Sequence, residues 1–281
     1  MDAVLLALVS AALFGAMTVA LRFALARAPD AEAGALLTIM VAFAVTLPFV
    51  AAGELDLAGT WPFLLAGMLA PGGSQLLFTL AVRDAGPSRA SVTVGTAPVF
   101  SVAIALLLLD EPAKAGILGG AVLIVVGGIL LAREPGRPAH VKWIGLAFAL
   151  AAAILIATRD NVVRHLSLDT EVAPALAVAA TLFAGGLTVA VWLLVTRRRL
   201  PRRGLATFFP AGLCFGLSYL SLVEAFYRGP VSVVSPLVAM ESFWGVGLSA
   251  LLLRRHELVG PRLFGGAVLV VAGGVLIGLS R

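Results

Sequence analysis

Ionisable side chains are scarce in this chain, so the few that interrupt long apolar runs carry most of its chemical information. Glu241 falls about midway along one run, beside Met240, Phe243 and Trp244. A carboxylate without a counter-charge at that depth is costly. It is therefore a candidate site for a substrate ammonium or a proton; the alternative is a carboxyl bonded to a neighbouring helix. Arg159 and Asp160, with Asn161 beside them, lie in the last third of another run. Consecutive residues on a helix diverge by about 100°, so the two charges need not close on each other and can face a ligand or a gate. Arg22 at the end of the first run and Arg164 at the end of the run that holds Arg159 occupy equivalent positions, where long side chains reach water. Glu224 lies roughly one turn from the end of its run.

Uncharged groups at helical spacing add a second layer. Gln75, Phe78 and Thr79 share one helix face, and Phe14 and Thr18 share another. Tyr219 and Phe226 answer from a later run, with hydroxyls at Thr93, Thr96, Ser232 and Ser235. An apolar, aromatic cavity with a few polar groups is the common form of a small-molecule site. Taken singly, each of these aromatics is equally a packing residue between helices. Pro98 and Pro236 lie inside two runs, where each frees a backbone carbonyl and can kink its helix. Glu111 and Glu257 sit at turns before helices, as gate or proton sites or as caps for free N–H groups.

Several chemistries are excluded by what is missing. Neither lysine, Lys114 or Lys142, belongs to a phosphate-binding G-x-x-x-x-G-K-[ST] loop. His140, His165 and His256 are scattered without metal-ligand spacing. Neither G-x-S-x-G nor H-E-x-x-H occurs, so no hydrolase signature supports an enzyme. No cofactor and no metal is expected. Cys214 is the single cysteine, so no intramolecular disulfide forms.

The elements that hold these residues are helices in lipid. Hydrophobic residues make up 60% of the 281 and charged residues 12%, about half the charge of a soluble domain. Mean hydropathy is +1.06. Apolar runs of about 20 residues, enough to cross a bilayer core as helix, recur throughout. They do not alternate as a membrane barrel strand would. The pI of 10.3 reflects basic residues in short loops, a topogenic pattern and not a nucleic-acid surface. The N-terminus lacks a basic segment before its first run, which reads as a retained span and not a cleaved signal.

Ten spans are predicted, near 3–23, 34–51, 61–81, 88–109, 115–132, 142–164, 173–195, 205–226, 231–252 and 262–279. The chain also repeats itself. Gly119–Leu131 reads GGAVLIVVGGILL and Gly265–Ile277 reads GGAVLVVAGGVLI, nine of thirteen positions identical at an offset of 146. A glutamate stands eight residues before each copy, Glu111 and Glu257. Ser74-Gln75 matches Ser218-Tyr219, and Gly86-Pro87 matches Gly229-Pro230. Five helices per half is an odd number, so the halves cross the membrane in opposite senses, as inverted repeats with the substrate site near the midplane between them. The glycine faces are expected to pack helix on helix within one protomer. The predicted fold is thus an all-α membrane protein of ten transmembrane helices, with repeats 1–133 and 141–281 joined by the proline-containing segment before Lys142.

The two glutamate-then-GGA…GG copies, together with Thr96-Ala97-Pro98-Val99-Phe100, resemble the drug/metabolite transporter superfamily and its EamA-type ten-helix members. The second half departs from the pattern where Glu241 stands in place of Pro98. The resemblance implies a cavity built by helices 1, 3, 4, 6, 8 and 9, with helices 5 and 10 as supports. It also implies both termini in the cytoplasm, whereas the charge rule places both outside: of twenty Lys and Arg, the side holding the termini takes only Lys114, Arg159, Arg164, Arg228 and Arg281. Small multidrug relatives use a glutamate in helix 1, and here the first span has no acidic residue after Asp2.

Together these readings predict a secondary carrier or facilitator, not an enzyme, that moves a small organic metabolite by alternating access across a bacterial inner membrane. Export of amino acids, aromatic or large neutral, is the first expectation, with the aromatic amino-acid exporters as the corresponding subgroup. Phe14, Phe78, Tyr219 and Trp244 would stack on the side chain, Glu241 would meet the ammonium, and Arg159 would meet the carboxylate. Thr18, Gln75, Thr79, Thr96 and Asp160 complete the expected pathway, and Pro98, Pro236, Glu111 and Glu257 its gates and supports. A drug or cation exporter and a nucleotide-sugar or sugar-phosphate exchanger are the alternatives within transport, and a membrane scaffold or enzyme the alternative outside it. The expected partners are the substrate and the lipid bilayer, with no nucleic acid, and a monomer suffices.

Overall fold

The computed structural model describes residues 2–52, 56–108, 114–132, 142–198, 200–201, 204–252 and 260–280. Glu111 and Glu257 lie outside the described residues. Lipid offers the backbone no hydrogen bonds, so apolar segments satisfy their own N–H and C=O groups as helices. The described residues are helical throughout their regular structure, with no strand among them. In chain order the helices are α1 (Ala3–Arg27), α2 (Ala31–Ala51), α3 (Trp61–Gly67), α4 (Ser74–Ala85), α5 (Pro87–Val94), α6 (Ala97–Leu108), α7 (Ala115–Ala132), α8 (Trp143–Leu168), α9 (Pro174–Val195), α10 (Gly204–Arg228), α11 (Val231–Val238), α12 (Glu241–Leu252) and α13 (Pro261–Leu279). Counting Ala58–Ala85 as one, six helices among the described residues are long and apolar enough to cross a membrane.

Local sequence sets the helix ends. The Asp30 side chain accepts the Ala33 N–H at 3.1 Å and caps α2. The turn from α4 to α5 pivots on Gly86 at φ 87°, a conformation that costs glycine little, and Pro87 opens α5 where no N–H is needed.

Three segments predicted as unbroken spans are interrupted at mid-length. Between α3 and α4 a π-turn runs from Met68 to Gly73, and Ala70 leaves the helical region (φ −144°, ψ 120°). Ala70 precedes Pro71, whose ring disfavours a helical residue before it. The segment 88–109 divides at Gly95–Thr96 into α5 and α6, and 231–252 divides at Ala239–Met240 into α11 and α12. The prolines do not mark the two breaks alike. Pro98 is the second residue of α6, where its missing N–H costs nothing, whereas Pro236 falls inside α11, its side chain outside the described set.

Packing fixes two opposite ends. At one, α8 begins where α4 stops: the Lys142 N–H donates to the Asp84 carbonyl at 2.9 Å. Arg83 holds the buried Asp84 carboxylate through Nε at 3.0 Å and Nη2 at 2.8 Å, and Lys142 Nζ approaches it to 3.5 Å. At the other end, Arg164 Nη1 and Ser167 Oγ near the close of α8 donate to the Phe226 carbonyl at 2.8 and 3.3 Å. Ala3 of α1 packs beside Gly229 there. Between the ends α1 lies on α10, α4 on α8, α2 against α9 and α10, and α7 on α13.

The α7–α13 contact is reciprocal. A Cβ on Gly127 would strike the Gly266 carbonyl, and a Cβ on Gly273 would strike the Gly120 carbonyl. Gly120 and Gly127 occupy the same motif positions as Gly266 and Gly273. The two copies of the glycine motif therefore pack on each other, as small residues permit in lipid.

Candidate functional site

The interruptions converge on one cavity. Its wall takes Phe14 and Met17 from α1, Ala70 and Pro71 from the π-turn, and Ser74, Gln75 and Phe78 from α4. Val94, Gly95, Ala97 and Pro98 come from the α5–α6 break, and Ser235, Val238, Ala239 and Glu241 from α11 and α12. α8 gives Ile156, Arg159 and Asp160, and α10 gives Phe215, Tyr219 and Leu222. Broken helices are tolerated at membrane depth where the irregular backbone lines a cavity or packs against protein, and all three breaks here do so.

Arg159 is the cation of this wall and is 2% exposed. Its guanidinium stands over the Tyr219 ring, 4.7 Å from the centroid, a cation–π contact. Its Nε lies 2.9 Å from Asp160 Oδ1, so the neighbours do form an ion pair across one helix step. That pair lacks hydrogen-bond angles and leaves polar capacity unused. Arg159 Nε and Nη1, Asp160 Oδ1 and Gln75 Nε2 are buried without a hydrogen-bond partner. Buried polar groups are normally satisfied, so a group of them turned on a cavity is a site for a polar ligand or for water. Glu241, the first residue of α12, adds a second carboxylate to the same lining. The start of α12 also favours a negative charge through the helix dipole.

The aromatic lining is a connected stack. Phe14 and Phe215 have ring centroids 5.9 Å apart, and Phe215 and Tyr219 5.7 Å. The Tyr219 hydroxyl donates to the Ala70 carbonyl at 3.4 Å, joining α10 to the unwound turn. The lining therefore joins an aromatic stack to charged groups, an amphipathic chamber suited to a small organic molecule with a polar head.

A profile of the EamA-like transporter family matches residues 1–133 and 143–279. The chain belongs to the EamA-like transporter family. Members are membrane transporters of small molecules, which agrees with the apolar helices around a central cavity. A crystal structure of another protein superposes with a TM-score of 0.73 at 18% identity, over 99% of this chain and 97% of that chain; at that identity the likeness shows the fold alone. No curated protein matches the sequence.

Within this EamA-like transporter, seven residues of the expected pathway meet in the cavity: Phe14, Gln75, Phe78, Arg159, Asp160, Tyr219 and Glu241. Four lie elsewhere. Thr18 and Thr79 return their hydroxyls to their own helices, bonding the carbonyls of Phe14 and Gln75 at 3.0 and 2.7 Å, and Thr96, in the α5–α6 break, bonds the Thr93 carbonyl of α5 at 2.7 Å. Trp244 is 41% exposed on the outer surface, edge-on to Phe243. Its Cβ packs against Gly15 of α1. Pro98 is in the cavity wall as part of the α6 start. Glu224 pairs with Arg228 one turn along α10.

Sequence reasoning missed Phe215, one turn before Tyr219, and the Ala70–Pro71 wall. The signal for the latter was Pro71-Gly72-Gly73, helix breakers inside an apolar run. It also missed Arg89, in the first turn of α5, the largest fully buried side chain.

Proposed function

We propose that this EamA-like transporter is a secondary carrier for small zwitterionic metabolites, with aromatic and large neutral amino acids as its first substrates, exported across a bacterial inner membrane. The observation that carries the reading is the placement of Arg159, Asp160 and Glu241 around one cavity that Phe14, Phe215 and Tyr219 also line. A substrate carboxylate would take the spare donors of Arg159 Nη1 and Gln75 Nε2, and its ammonium would lie between Glu241 and Asp160. The side chain would stack on the aromatic wall, where apolar burial adds affinity.

The architecture that suits this activity is ten spans in two inverted five-helix repeats, 1–133 and 141–281, working as a monomer. The pairing of helices supports it. Exchanging α1 with α8, α2 with α9, α3–α4 with α10, α5–α6 with α11–α12 and α7 with α13 turns the α1–α10 contact into the α8–α4 contact and returns α7–α13 to itself. Alternating access follows from rocking one repeat against the other around a fixed central site.

A second reading, export of organic cations, is favoured by the charge balance. Two carboxylates face one guanidinium among the described lining residues, so an amine without a carboxylate also finds a partner. A nucleotide-sugar exchanger would need several convergent cations, and Arg159 stands alone among the described lining residues. Equilibrium binding to purified protein separates these readings. Phenylalanine is expected to bind more tightly than both phenethylamine and phenylpropionate, each of which lacks one charged group. Tightest binding of phenethylamine would replace the zwitterion with a cation, and no binding of any of the three would sink the amino-acid reading.

A further inference from the structure

The short helices α5 and α12 pack antiparallel, with glycine set against serine at two points of the seam. Gly95 faces Ser242 and Ser91 faces Gly245 so closely that a Cβ on either glycine would collide with the opposing serine. One turn further along each helix the same register brings Ser88 and Ser249. Small residues alone would mean only close packing. Two further facts point elsewhere. All four serines are buried, and the Ser249 hydroxyl has no hydrogen-bond partner. The inner end of the seam, Gly95 and Glu241, is the cavity wall itself.

The other two half-helices form a matching seam. α11 packs on α6, and in the sequence Ser232 and Ser235 stand three apart, as Ser88 and Ser91 do, each pair ending four residues before its helix break. α5 runs inward from the Asp84 end, whereas α11 runs inward from the Phe226 end, so the two seams lead from the cavity to opposite faces. They differ in one respect. On the α6–α11 side the cavity already reaches Pro98, Ala239, Val238 and Ser235. On the α5–α12 side it reaches Val94, Gly95 and Glu241 but neither Ser91 nor Ser242, and there Ser242 Oγ donates to the Ser91 carbonyl at 3.0 Å and closes the seam.

We infer that these two seams are the two doors of the transport path, with the α6–α11 door partly open and the α5–α12 door shut by the Ser242–Ser91 hydrogen bond. This rests on the alternating-access reading above. When the shut door parts, Ser88, Ser91, Ser242 and Ser249 offer hydroxyls in place of water to the charged head of a passing substrate, and Ser249 becomes wet.

The test is thiol accessibility in a Cys214→Ala background. Ser249→Cys is placed in oriented vesicles, and a membrane-impermeant methanethiosulfonate ammonium reagent is applied to each face in turn, with and without phenylalanine. Ser249→Cys is expected to react from the Asp84 face and not from the Phe226 face. Adding Ser242→Ala, which removes the closing bond, is expected to speed the reaction about five-fold, the weight of one hydrogen bond. An unreactive Ser249→Cys in vesicles that still transport, or a rate unmoved by Ser242→Ala, overturns the door. Should Ser249→Cys fail to insert, Ser88→Cys on the facing turn gives the same readout. Labelling without substrate reads the door by itself, so a lack of phenylalanine transport counts against the amino-acid reading alone.

Discussion

At the residue scale, the site depends on where charge is left uncompensated. Arg159 is held on both sides, by the Asp160 carboxylate and by the Tyr219 ring. This fixes the guanidinium without using all of its donors. Glu241 has no cation beside it among the described lining residues, which leaves it for the ligand. Glu241→Gln keeps the shape and removes the charge. It is expected to weaken binding of an ammonium-bearing substrate by roughly thirty-fold or more, the usual weight of one partner in a desolvated charge pair. Binding of phenylpropionate, which carries no ammonium, should be unchanged, and titration of the purified variant with both ligands checks this. Equal losses for both would mean that Glu241 supports the fold of α12 and not the ligand. Arg159→Lys keeps the charge but loses the planar stacking on Tyr219, so it should not substitute fully.

At the element scale, glycine and proline decide which helices run through and which break. The breaks at Ala70, Gly95–Thr96 and Ala239–Met240 bring backbone to the cavity wall, whereas the glycine faces of α7 and α13 bring two intact helices together. Gly273→Val would drive a side chain into the Gly120 carbonyl. Overpacking of this kind costs about 1–3 kcal/mol, so the detergent-solubilised variant should melt at a lower temperature, while ligand affinity measured below that melt is retained. The helices and the glycine repeat were legible in the sequence, because apolar run length and small-residue spacing are local properties. Arg159, Asp160 and Glu241 were legible because charge in an apolar run stands out. What was not legible depends on three dimensions. Thr18 and Thr79 bond back along their own helices and Thr96 bonds back to α5, Trp244 is exposed at the surface, and Phe215 meets Phe14 because α1 packs on α10.

At the scale of the whole molecule, the cavity is chemically lopsided. The first segment matched to the family supplies Phe14, Gln75 and Phe78, while Arg159, Asp160 and Glu241 all come from the second. The family model matches both segments, and the charged lining lies in the second of them. Asp84 ties the segments together where α4 of the first meets α8 of the second. Its carboxylate is 4% exposed beneath two cations that reach water, Arg83 and Lys142. The central claim is that this lopsided cavity carries a zwitterion with an apolar side chain. Its most direct test is uptake of radiolabelled phenylalanine, tryptophan, leucine and aspartate by proteoliposomes holding the wild type or Glu241→Gln. The account predicts saturable uptake of the first three, little uptake of aspartate, and loss of uptake in Glu241→Gln; uptake indifferent to Glu241→Gln, or no uptake of any amino acid by protein that folds, would contradict it.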